Sequence, residues 1–209
     1  MIPPRLIRTI PEQVSTEVER FWEKACELHP DWQHVTYREP IEPAWFPLTG
    51  RLFAACQSGA QKAGLIRLEV LLNGGGVYID SDVELYRPLD CLLGLGGFAA
   101  WEDGDVVPDA VLAAEPDHPA IRECLRLAIE RMGSGSGDWR TGSGAWSTGP
   151  GVTTTVLPGR DDFAVLPPGT FYPYHYTEKQ RRHEDHKGAQ PWSFGAHHWH
   201  ASWLPGEEG

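Results

Sequence analysis

The sequence predicts a single α/β domain. Two patterns carry that expectation. The chain opens with a strand–helix–strand alternation, and further on an apolar helix passes through a glycine stop into a short apolar strand that ends in two carboxylates. A length of 209 residues suits one domain with a sizeable core, and 41% hydrophobic against 22% charged residues argues against a disordered chain.

Leu6 to Ile10 is a short β-like run, and Thr16 then opens a helix, with Thr16 and Glu19 at capping-box spacing. Val18, Phe21, Trp22, Ala25 and Leu28 share one face of it, and Pro30 stops it. Trp32 to Tyr37 reads as the second strand. Leu48 to Ser58 and Gln61 to Leu72 read as helices, the latter with Leu65, Leu68, Leu71 and Leu72 at helical spacing. Asn73-Gly74-Gly75-Gly76 ends that helix, because glycine adopts a left-handed C-terminal conformation without strain. Val77 to Ile79 is a buried strand running into Asp80-Ser81-Asp82, and Phe98 to Trp101 and Ala110 to Ala114 are further strands. His118 to Met132 is an amphipathic helix. Residues 133–151 carry seven glycines with Trp139 and Trp146 among them, which predicts a mobile binding loop rather than a spacer.

A net charge of −11 argues against a basic nucleic-acid groove, since phosphate binding wants clustered Lys and Arg. It fits an anionic ligand held through a metal or a few local donors. Four cysteines at 26, 56, 91 and 124 form no close pair, so they read as reduced, buried small hydrophobes in a cytoplasmic setting, not as a zinc site. The opening Met1 to Arg5 has no apolar signal core, and no segment reaches the roughly 18 apolar residues of a membrane span.

Two segments carry chemistry. In Gly75-Gly76-Val77-Tyr78-Ile79-Asp80-Ser81-Asp82, a strand end fixes the backbone, and two carboxylates two residues apart can hold a hard divalent cation, one directly and one through water or a ligand hydroxyl. Acidic pairs are common in loops; the glycines and apolar strand ahead of this one set it apart. Far away, His197-His198-Trp199-His200-Ala201-Ser202-Trp203 places three histidines in four positions beside two tryptophans. Imidazole is a good metal ligand, and tryptophan offers a flat face to a base or sugar.

The segment 61–90 resembles the DXD-containing sugar-binding region of glycosyltransferase family 32, with Arg67, Gly75, Gly76, Tyr78, Asp80 and Asp82 in register. Thr148-Gly149-Pro150, Phe171-Tyr172-Pro173 and the closing His197 to Trp203 resemble three further elements of that family, in the same order. The resemblance implies a glycosyltransferase A fold with a mainly parallel sheet, spanning 1–209 as one domain. It implies transfer of a sugar from a UDP- or GDP-sugar to an acceptor hydroxyl, with retention of configuration and with Mn²⁺ or Mg²⁺. The acceptor would be a glycan, a lipid-linked sugar or a protein hydroxyl, and the alternatives are a nucleotide-sugar hydrolase or a non-catalytic nucleotide-sugar binder.

By the same resemblance Asp82 ligates the metal, and Asp80 contacts sugar or ribose hydroxyls and touches the metal through water. Arg67 reaches the donor's sugar or phosphate, and Tyr78, with Gly75 and Gly76, frames the donor pocket. His197 approaches the metal, while Ser202 and Trp203 close over the diphosphate. Gly64 stands where the family has an Asp expected at the donor sugar. Outside the motifs, Glu69 reads as a solvated helix residue and Glu102 to Asp105 as an acidic turn near the acceptor. Lys179 to His183 reads as a solvated basic face.

Overall fold

A computed structural model describes residues 1–133 and 144–200. The central sheet has the order β2-β1-β3-β6-β5-β7, built from β1 (Arg5–Ile10), β2 (Gln33–Arg38), β3 (Gly76–Ile79), β5 (Gly97–Ala100), β6 (Val111–Ala114) and β7 (Ala164–Leu166). β1 runs parallel to both β2 and β3, and β5 parallel to β7. β6 is antiparallel to both its neighbours, β3 and β5. A separate two-stranded sheet pairs β4 (Val83–Leu85) with β8 (Gly195–His197).

Both faces of the central sheet are covered, which is why its inner strands read as unbroken apolar runs. Ile7, Tyr78 and Leu112 enter the core on one side, and Leu6, Val77, Ile79 and Val111 the core on the other. Helix α2 (Gly59–Gly74) lies in the first of these cores. Its residues 64–72 are all buried, Arg67 and Glu69 among them, so the helix is enclosed around its whole circumference and is not amphipathic. Gly75 ends it at φ +62°, with its N–H donating to the Leu71 carbonyl.

Several boundaries differ from the sequence expectation. Helix α1 (Thr16–Leu28) is capped by Ser15, whose hydroxyl accepts from the Val18 N–H, not by a Thr16–Glu19 box. Glu19 is drawn away to Arg8 and Arg38. The segment 48–58 forms only a 3₁₀ helix over Gly50–Ala55, in which Gly50 sits directly against the Pro43 carbonyl. Helix α3 (Pro119–Gly133) follows β6 as expected. Of the stretch 133–151, residues 134–143, with Trp139, lie outside the described residues. The rest is not a loop: Ala145–Thr148 forms α4 and Pro150–Val156 forms α5, and α4 packs on α2 and α3. Among the cysteines, all free, Cys124 is buried, Cys26 and Cys56 are half-buried and Cys91 is exposed, so burial holds for one of the four. No helix among the described residues is long and apolar enough to cross a membrane.

Candidate active site

The chain leaves β1 and returns by β2 on one side of it, then by β3 on the other. That reversal opens a crevice at the carboxyl ends of β1 and β3, where open α/β sheets bind ligands. A cavity of about 1170 Å³ lies there. Thr9 to Pro11 border it from the end of β1, and Asp80 to Asp82 from the end of β3.

Asp82 and His197 are 115 residues apart in sequence. They meet because β4 and β8 pair with Val83 opposite His197. His197 Nε2 lies 3.1 Å from Asp82 Oδ1, and the His200 N–H donates to Asp82 Oδ2 at 2.9 Å. The Phe171-Tyr172-Pro173 element contributes to this placement, since the Phe171 carbonyl accepts from the His197 N–H at 3.0 Å. Asp80, Asp82 and His197 each offer one ligand atom within 4.8 Å of the others. Among the described residues, His197 Nδ1 is buried without a partner. Two carboxylate oxygens and one imidazole fit Mn²⁺ or Mg²⁺, with coordination positions left for phosphate oxygens.

Burial pushes both aspartates up. For Asp82, His197 and the His200 N–H outweigh it and hold the carboxyl well below the ordinary range. For Asp80, burial and the neighbouring Asp82 prevail over Arg67, and the carboxyl is raised. Burial pushes His197 down, and Asp82 more than restores it, so the imidazole sits above its ordinary value.

Arg67 is clamped. Nη2 pairs with Asp80, Nη1 pairs with Asp109, and the Tyr78 ring lies 4.3 Å from the guanidinium carbon. Asp109 is a site residue that the sequence reading missed. Its signal was faint, a single acid just ahead of the apolar run 110–114. Glu102 also borders the cavity; it is buried, accepts from the Tyr176 N–H at 3.0 Å and lies 3.5 Å from His175 Nε2. Asp103 instead caps its own turn, accepting from the Asp105 and Val106 N–H groups. Of the basic segment, Lys179 and Gln180 border the cavity, while Arg181 pairs with Glu178 and Glu184.

Three expectations are corrected. Gly75 and Gly76 are not at the donor site. They stand at the opposite end of β3 from Asp80, packed against Ala114, Pro116 and Arg5, where their positive φ starts the strand. Tyr78 is fully buried and supports the pocket from behind, through Arg67 and a hydroxyl contact to Thr9. Glu69 is not solvated. It is 1% exposed and accepts from the Leu48 N–H (3.0 Å), the Thr49 N–H (2.8 Å) and the Thr49 hydroxyl (2.6 Å), which fastens the 48–55 segment to α2. Of the closing motif, Ser202 and Trp203 lie outside the described residues. His198 turns to Glu84 and Tyr174, so His197 is the histidine at the two aspartates.

A reversed central sheet with paired aspartates at its switch point and a returning histidine defines a glycosyltransferase A architecture. The comparisons agree. The chain superposes on the PaToxG glycosyltransferase with a TM-score of 0.56 at 16% identity, covering 91% of this chain and 75% of that one. It superposes on the glycosyltransferase GlyE of Streptococcus pneumoniae TIGR4 with a TM-score of 0.58 at 12% identity, covering 95% and 55%. Residues 15–96 match the family described as glycosyltransferase sugar-binding region containing DXD motif. The chain is 29% identical over 137 residues to the mannosyl phosphorylinositol ceramide synthase CSH1 of Saccharomyces cerevisiae, which covers 59% of this chain and 36% of that protein. Over residues 15–96 the chain is therefore similar to the DXD-containing glycosyltransferases, and its match spans about a third of the length of that curated relative.

Proposed function

We propose that the chain transfers a sugar from a nucleotide-sugar donor to an acceptor hydroxyl, with a divalent cation and with retention of configuration. The observation that carries this reading is the meeting of Asp80, Asp82 and His197 at the mouth of a cavity of about 1170 Å³. Mn²⁺ or Mg²⁺ held by these three would supply charge neutralisation for the leaving diphosphate. Ile10 and Pro11, with Ile41 and Ile66, give the same cavity an apolar wall for the nucleoside. Arg67 holds the Asp80 carboxylate in place and so orients it toward the ligand. Glu102 and His175, on the wall formed by the 101–106 turn and the 175–180 segment, are placed for the acceptor.

The donor's base and sugar are drawn from the UDP- and GDP-sugars; the name of the yeast relative adds mannose to the sugars to be tried. The acceptor belongs to the glycan, lipid-linked or protein-hydroxyl classes.

The test is a melting-temperature screen of UDP- and GDP-sugars with and without Mn²⁺, on wild type and Asp82→Ala. At a donor concentration about 100 times Kd the folded state gains about 2.7 kcal/mol, roughly 5–10 °C for a chain of this size. The expected result is a rise that needs donor and Mn²⁺ together and vanishes in Asp82→Ala. Product must then form only when an acceptor is added. Release of free sugar at full rate without acceptor would make the protein a hydrolase, and no shift with any donor at saturation would overturn the reading.

A further inference from the structure

A smaller cavity of about 360 Å³ adjoins the large one, and Glu102 and His175 border both. The turn after β7, with Gly169, and the segment entering β8, with Gln190 and Trp192, form its other walls. That segment is fastened on both sides of the tryptophan. Arg87 donates to the Pro191 carbonyl, and the Phe194 N–H donates to the Thr170 carbonyl at 2.8 Å. Between these anchors Trp192 is 63% exposed. An indole fixed at the rim of a cavity offers a ligand a flat apolar face at little entropic cost.

The polar groups beside the indole are arranged as a hydroxyl requires. Gln190 Nε2 donates to the Pro173 carbonyl at 3.1 Å, which assigns the other end of the amide as its oxygen. Gly169, at φ +81°, leaves space in front of that oxygen. A Cβ there would lie 2.9 Å from Gln190 Oε1 and 3.7 Å from Trp192 Nε1. An acceptor and a donor thus lie within reach of one point beside Gly169, and a hydroxyl, which both accepts and donates, suits the two.

Charge narrows the choice of ligand. Glu102 and Glu178 border this cavity, and among the described residues no lysine or arginine does. A phosphate or sulfate would meet its own sign there, whereas a neutral polyol would not. A flat aromatic face, groups placed for a hydroxyl and carboxylates that accept from others together suit a neutral sugar ring.

We infer that this cavity seats a neutral sugar of the acceptor, next to the sugar whose hydroxyl receives the transfer beside Glu102 and His175. The acceptor then presents at least two neutral sugars in a row. The inference rests on the transferase reading above. Saturation-transfer NMR in Mn²⁺ and UDP or GDP tests it on wild type, Trp192→Ala and Trp192→Phe. The probes are mannose, glucose and galactose, and the di- and trisaccharides of each. In wild type at least one trisaccharide binds about tenfold more tightly than its monosaccharide. Trp192→Ala cuts that advantage to less than about twofold and leaves monosaccharide affinity and the melting shift with donor and Mn²⁺ in place. Trp192→Phe keeps most of the advantage, because an aromatic face remains.

No advantage in wild type, an advantage untouched in Trp192→Ala, or a monosaccharide weakened as much as the trisaccharide would overturn the inference. The two readings fail separately. A melting shift with donor and Mn²⁺ but no oligosaccharide advantage leaves the donor site standing and removes this one. An oligosaccharide advantage lost in Trp192→Ala, in a protein that no donor stabilises, overturns the transferase reading and the cavity's acceptor role with it.

Discussion

Gly64 offers the sharpest test of the packing behind the site. Replacing it with Asp restores the acid that the family carries there, and on sequence grounds that change improves the donor site. The structure predicts the opposite. A Cβ at Gly64 would lie 2.8 Å from both the carbonyl oxygen and the hydroxyl of Thr148 and 3.1 Å from its carbonyl carbon. Thr148 has little freedom to retreat: it is 1% exposed, sits in α4, and its hydroxyl donates to the Gln61 carbonyl at 2.9 Å. Overpacking of this kind costs about 1–3 kcal/mol, and the better helix propensity of Ala over Gly returns about 1. Gly64→Ala should therefore lose about 1 kcal/mol, or roughly 2–4 °C in Tm for a chain of this length. Gly64→Asp adds a carboxylate against a carbonyl oxygen, and its total should reach about 3 kcal/mol, roughly 6–12 °C. Calorimetry of the metal-free protein reads both. A Gly64→Asp variant that melts with wild type and binds donor more tightly would refute the argument.

Glu69→Ala should cost about 3 kcal/mol or more in urea unfolding, because it strips three acceptor contacts from Leu48 and the buried Thr49, while donor affinity stays unchanged. A loss under about 0.5 kcal/mol would return Glu69 to the solvated role that its sequence position suggested. The Asp82–His197 pair sets a pH profile for the metal-free protein. The depressed Asp82 carboxyl contributes stability above its unfolded value of about 3.9 and loses it as pH falls through the lower folded value. The raised His197 contributes fully below about 6.5 and loses it as pH rises through its folded value. Denaturant midpoints in chelator should thus peak between about pH 4 and 6.5 and decline on the alkaline side. His197→Asn should flatten the alkaline limb, and an alkaline limb unchanged in that variant would sink the assignment. Thiol labelling of the native protein at pH 8 should modify exposed Cys91 first. Cys56, pushed to about 11, and Cys124, pushed to about 12, both by burial, should lag, with Cys124 reacting only on unfolding. Rapid labelling in Cys91→Ser would contradict that order.

What the sequence disclosed and what it withheld divide along a physical line. Local patterns were readable: the strand into Asp80 and Asp82, the helix before it, and the glycine stop whose left-handed backbone is visible as Gly75. The distant histidines were legible only as an unusual composition. That His197, and not His198 or His200, faces the aspartates depends on the β4–β8 register, because a shift of one residue would turn the other side chain inward. Asp109 was beyond reach for a similar reason. An acid ahead of a strand sits at the active end of the sheet only if that strand runs backwards, and nothing in residues 110–114 states its direction. Glu69 misled because a charged residue in a helix is solvated by default. Only the unpaired N–H groups of a neighbouring 3₁₀ turn justify burying it. Gly75 and Gly76 misled because nearness in sequence to the aspartates was taken for nearness in space, whereas a strand of four residues separates them.

The charge in the cavity constrains its ligand as strongly as the shape does. Glu39, Asp80, Asp82, Glu102 and Asp109 border it, against Lys62, Arg67 and Lys179. Lys62 is held by Glu39 and Arg67 by two aspartates, so neither is available to meet an incoming phosphate without first leaving a carboxylate behind. A bare diphosphate would face a surface of its own sign. The same anion arriving with a divalent cation meets two carboxylates and an imidazole already gathered to receive the metal. A neutral sugar extending from it meets carboxylates that accept from hydroxyls at no cost in repulsion. On this argument donor affinity should depend on Mn²⁺ far more steeply than in a site lined with free lysines, and raising the salt should do little to replace the metal, because screening weakens repulsion without supplying ligands.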